Sequence, residues 1–128
     1  DKATAVQRSL QFWKKISSPK YPTPEHELQQ RIASDYDRSY RPASYLRQSH
    51  AIIATGGFKR LLSRINCPTQ IIHGTDDPLV HKKGGIASAK SIPGAKLELI
   101  KGMGHDFPQQ LLPKLTELIA FNALTGNK

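Results

Sequence analysis

Two titratable side chains in this sequence stand on short turns rather than inside the runs that build a core. His105 lies in "LIKGMGHDFP", residues 99–108, where an apolar run gives way to Gly102 and Gly104 before the histidine, an aspartate and a proline. Asp77 lies in "IIHGTDDPLV", residues 71–80, three positions past Gly74, as His105 lies three positions past Gly102. In an open parallel sheet the carboxyl ends of the strands are where loops gather reactive groups. A carboxylate beside an imidazole fixes its tautomer and stabilises the imidazolium, which is the supporting half of a nucleophilic triad. Neighbouring strands would bring Asp77 and His105 together, leaving Asp76 to cap the turn before Pro78.

The elements that must hold those turns read from the apolar spacing. "CPTQIIHG" is a short buried strand over about 69–74, "GGIASAKSIP" a small-residue helix ended by Pro93, and "AKLELIKG" a second strand over about 96–100. Strand, helix and strand in this span form a βαβ unit with parallel strands. A last helix, Pro108 to Leu124, carries Leu111, Leu112, Leu115, Leu118, Ile119 and Phe121. Upstream, "ATAVQRSLQFWKKI" places Val6, Leu10, Trp13 and Ile16 at helical steps. Three prolines interrupt it in "SSPKYPTP", and Thr23 with Pro24 is a cap and first-turn pair for a helix carrying Leu28, Ile32 and Tyr36. Pro42 opens a third helix to about Thr55, and "FKRLLSRI" is a short fourth.

With these strands, turns and the closing helix in order, residues 65–124 resemble the C-terminal third of an α/β-hydrolase of the esterase and lipase kind, and the helical first half is similar to the lid inserted before those strands. The resemblance implies an α/β fold: the C-terminal part of a parallel sheet, two strands with flanking helices, over residues 65–128, preceded by a helical lid or cap over 1–64. It makes Asp77 the catalytic acid and His105 the general base, in the family's order of Ser, then Asp, then His. The family's nucleophile sits in a Gly-x-Ser-x-Gly elbow, and Ser9 in "QRSLQ", Ser63 in "LLSRI" and Ser88 in "GIASAK" have no such surround. The chain is therefore expected to be a fragment of a serine hydrolase cleaving carboxylic ester or similar acyl bonds of a small molecule. It supplies acid and base, is inactive alone, and depends on the missing N-terminal half, in the same or a separate chain. Thr69 to His73 is expected to pair with a strand from that half. No cofactor is implied. The alternative is a non-catalytic binding module of the same fold with a basic surface.

Composition bounds the remaining choices. The 128 residues carry a formal charge of +9, of which residues 1–66 hold 12 Lys and Arg against 5 Asp and Glu. No zinc-finger or Gly-aromatic signature accompanies that charge, so no nucleic-acid partner is expected and a solvated helical face explains it. The single cysteine, Cys67, fits a reducing, cytoplasmic compartment, and no apolar run reaches the length of a membrane span. His73, Asp76, Asp77, His81 and His105 form a competing ligand set for a metal, but spread around loops rather than at helical or hairpin spacing. His73 reads as a structural imidazole at a strand end, and His26 and His50 as helix residues. Phe12, Trp13 and Tyr21 lie where a lid meets substrate, and Met103 stands to wall a pocket beside His105.

Overall fold

The computed structural model describes residues 1–125. Among them, six α-helices and a two-stranded parallel sheet form a mixed α/β chain. Helix α1 (Lys2–Ile16) starts beneath Asp1, whose carboxylate accepts the Thr4 N–H at 2.8 Å. Its apolar stripe buries Val6 and Leu10 against Leu28 and Ile32 of α2 (Glu25–Ser39), with Trp13 and Ala33 packed at the margin. Burying each of those aliphatic side chains contributes about 1.5–3 kcal/mol. The exposed ion pairs Lys2–Asp37 and Lys14–Glu25, each at 2.6 Å, contribute roughly 0–1 kcal/mol apiece. Apolar contact, not charge, holds this helical hairpin.

The expected Thr23 cap does not form. Pro24 itself occupies the cap position with φ −52° and ψ 137°, no side chain bonds the first turn, and the helix starts at Glu25. Glu25 and Glu27 replace the cap, because carboxylates in the first turn answer its unpaired N–H groups and dipole.

Helix α3 (Pro42–Thr55) has Pro42 in its first turn and ends at Gly56. None of its residues is buried, and it packs against no other element of the described residues. One turn, α4 (Lys59–Leu62), follows.

Strands β1 (Gln70–Gly74) and β2 (Lys96–Ile100) pair in parallel, in register from Gln70↔Lys96 to Gly74↔Ile100. Helix α5 (Lys82–Ser91) links them and packs on both. On one face of β1, Ile72 joins Ile100, Met103, Leu111 and Leu115 in a second core. His73 faces the other way, as the two-residue period of a strand requires, and lies against Gly85 of α5. The last helix starts later than its apolar pattern suggests: Gln109–Leu111 is a 3-10 turn, and α6 runs Leu112–Thr125. Pro113 near its start has no N–H to donate, which is tolerated only in a first turn. Leu111 and Leu115 are buried, whereas Ile119 and Phe121 are exposed. No described helix is long and apolar enough to cross a membrane.

Candidate active site

The ends of the two strands are laced together before either side chain enters. Thr75 N–H donates to the Ile100 carbonyl at 3.0 Å, and Asp76 N–H to the Met103 carbonyl at 3.0 Å. Gly102 N–H returns a bond to Thr75 Oγ1 at 3.1 Å. This places the turn holding Asp77 against the turn holding His105, and Asp77 Oδ2 lies 2.8 Å from His105 Nδ1.

Asp77 uses its other oxygen to build its own turn. Oδ1 accepts the N–H groups of Leu79 and Val80, both at 2.8 Å. That duty, expected of Asp76, falls to Asp77 because Asp76 Oδ1 accepts the Thr75 hydroxyl instead, at 2.7 Å. The Asp77 side chain is 6% exposed against 40% for His105. Burial, the largest influence on the Asp77 carboxyl, pushes its pKa up. The Val80 N–H, the His105 bond, the Leu79 N–H and the imidazole's charge together outweigh burial and hold the pKa below the ordinary aspartate value.

His105 is fixed through its backbone as well as its ring. Its N–H donates to the Ile16 carbonyl at the end of α1, at 2.7 Å. Gly104 N–H donates to Ser18 Oγ at 2.8 Å, Ser18 N–H donates to Asp106 Oδ1 at 2.9 Å, and the Ser18 hydroxyl donates to the same oxygen. Ser18 and Asp106 are both buried. The glycines flanking Met103 are required here. Gly102 has φ +81°, and a Cβ on Gly104 would stand 2.5 Å from the Ile16 carbonyl oxygen.

Because Asp77 is an ionised acceptor, Nδ1 of His105 carries the proton of the pair and Nε2, across the ring, is the free base site of the neutral imidazole. No described residue hydrogen-bonds Nε2. His105 and Asp77 line a cleft of about 510 Å³ whose wall includes Trp13, Arg31, Met103 and Phe107. Met103 thus stands where the sequence puts it. Of the three aromatics, Trp13 alone reaches the cleft: Phe12 meets the Trp13 ring edge at 6.5 Å between centroids, and Tyr21 packs on the second core.

His73 lies at the strand end, donating from Nε2 to the Val80 carbonyl at 2.8 Å and standing 3.9 Å from Asp77 Oδ2. His81 Nδ1 accepts the Lys83 N–H at 3.1 Å and starts α5. Among the described residues, no three His, Cys, Asp or Glu side chains converge as metal ligands. His26 and His50 are exposed.

Ser18, Asp106 and Arg31 are the site's unforeseen members. Asp106 adjoins His105 in sequence and offered a signal, but Ser18 is 88 positions away and only the packed chain brings it in. No protein-family model matches this chain, and no curated protein matches it either.

Proposed function

We propose that Asp77 and His105 are the acid and base of a serine hydrolase acting on carboxylic ester or similar acyl bonds. The nucleophile and oxyanion hole come from polypeptide outside residues 1–128, in the same or a separate chain. The observation that carries this reading is the 2.8 Å contact between Asp77 and His105, with Nε2 left open at a cleft. The resemblance of residues 65–124 to the end of an α/β-hydrolase supports it, with β1 and β2 as the last two core strands and the first four helices as a lid.

In the proposed reaction His105 Nε2 takes the proton of the serine hydroxyl as its oxygen attacks the carbonyl carbon, and delivers that proton to the departing alcohol. A water molecule then repeats the sequence on the acyl-enzyme. Asp77 stays ionised throughout, holding Nδ1–H and stabilising the transient imidazolium. Pairing of β1 with a strand of the nucleophile-bearing half accounts for an otherwise isolated pair of short parallel strands, which is not stable alone in water.

Serine-directed phosphonate labelling and ester turnover test the reading. The chain by itself gives neither. Assembled with its nucleophile-bearing half, it turns over a p-nitrophenyl ester, and His105→Ala lowers kcat by about 10²–10⁴-fold. Labelling of a serine within residues 1–128, or full activity in the His105→Ala assembly, excludes it. An assembly that forms without any turnover favours a binding module instead.

A further inference from the structure

We infer that the cleft beside His105 receives a molecule carrying a single carboxylate, recognised by Arg31. Only in calling that molecule a substrate does this rest on the hydrolase reading; the recognition itself does not.

Three carboxylates line the cleft, Asp35, Asp77 and Asp106, and all are engaged. Asp35 pairs with Arg38 at 2.7 Å, Asp77 with His105 and two backbone N–H groups, and Asp106 with Ser18. Arg31 is the one Lys or Arg among the lining residues, and it forms no ion pair within the described residues. Its potential helical neighbour one turn on, Asp35, is turned to Arg38 instead. Arg31 is thus the charged group at the cleft whose hydrogen-bonding atoms have no partner among the described residues, and it is positive; Asp77 and Asp106 keep their negative charge but turn oxygens to protein donors.

The arginine is also poised. Leu28 and Ile32, buried on either side of it in sequence, anchor α2 to α1. The Arg31 guanidinium lies 5.5 Å from the centroid of the Trp13 ring, a cation–π contact that limits its rotamers while leaving its edge N–H groups free. A planar fork of donors matches a carboxylate with two parallel bonds. A dianionic phosphate would leave a second charge uncompensated in a cleft with three acidic side chains. Beyond these groups, His73, His105 and two glycines, the wall is apolar: Trp13, Ile72, Val80, Met103 and Phe107. A volume of about 510 Å³ suits a small organic molecule. The matching ligand is an aryl or alkyl chain ending in a carboxylate, with the scissile group toward His105.

The test is binding, because it needs no nucleophile. The 128-residue chain, carrying Ile52→Lys and Ile53→Lys on the outlying α3 to keep it dispersed and showing the amide spectrum of a folded protein, is titrated with 4-phenylbutyrate and with its neutral amide, following the Trp13 indole and Arg31 side-chain NMR signals. The carboxylate is expected to bind about tenfold more tightly, as one charge-assisted contact allows. Arg31→Gln removes that preference, and Arg31→Lys, which keeps the charge but loses the fork, retains part of it. Equal binding of the two ligands, no saturable shift with either, or an unchanged preference in Arg31→Gln overturns the inference. Arg31 is exposed, so neither variant threatens the fold. A carboxylate preference in a chain whose assembly never cleaves esters leaves the anion site standing and removes the hydrolase. Turnover of esters without such a preference does the reverse.

Discussion

Asp77→Asn separates the two tasks that this carboxylate performs. An amide oxygen still accepts the Leu79 and Val80 N–H groups, so the turn survives. The amide NH₂ then faces His105, and a donor there obliges Nδ1 to accept, moving the imidazole proton to Nε2. The expected outcome is a folded chain whose His105 nitrogen resonances report the opposite tautomer, and an assembled enzyme slowed by about 10²–10⁴-fold in kcat. An unchanged tautomer removes Asp77 as the orienting group. The same residue predicts an acid dependence. Its folded-state pKa is lowered, so its contribution to stability is complete above the unfolded carboxyl's pKa and drains away as pH falls through the folded value. Urea unfolding at stepped acid pH should lose stability in that window, and Asp77→Asn should flatten that part of the profile. Asp77 and His105 were legible because each follows an apolar run by the same short interval. Which of two adjacent aspartates closes the turn was not: only the packed chain gives Asp76 the Thr75 hydroxyl.

Between elements, the link that matters joins the end of α1 to the turn after β2. Ser18→Ala leaves the Gly104 N–H and the Asp106 carboxylate, both buried, short of a partner. The expected cost is about 1–3 kcal/mol in denaturant unfolding; a loss below about 0.5 kcal/mol, the scatter of unremarkable surface changes, makes the knot incidental. Gly104→Ala should be at least as damaging, since backbone rather than a movable side chain blocks its Cβ. Helices and strands were readable from their periods, α1 and both strands within a residue or two; the stripe of α1 is buried, whereas Ile71 and Ile72 of β1 are half-buried and Leu97 and Leu99 of β2 stay exposed. The starts of α2 and α6 were not, because they depend on which N–H groups find partners rather than on apolar spacing. The knot itself left no periodic trace, since it consists of single polar residues far apart in sequence.

As a whole, the molecule keeps two small cores and leaves one helix unsupported. Tyr45, Ile52 and Ile53 of α3 are 75%, 64% and 78% exposed, on a helix that touches no other described element. Under the proposed function this face and the free edge of β1 meet the nucleophile-bearing half. Expressed alone, the chain should therefore self-associate, and Ile52→Lys with Ile53→Lys should reduce that association in sedimentation while leaving the thermal midpoint within a degree or two. Backbone amides of β1 not bonded to β2 should exchange rapidly in the isolated chain and become protected on assembly; prior protection in a monodisperse monomer would falsify the need for a second strand. The Ser18–Asp106 knot also has a meaning in time. Fastening residues 88 positions apart closes a loop whose entropy cost is on the order of 4 kcal/mol. The two strands close over a much shorter span than this, whereas the imidazole's backbone cannot be pinned until α1 has found it. The entropy of such a long closure is lost before the contact stabilises anything, which makes it slow to form. Misdocking of α1 would thus yield a chain that still carries His105 after its second strand but leaves that histidine unfastened.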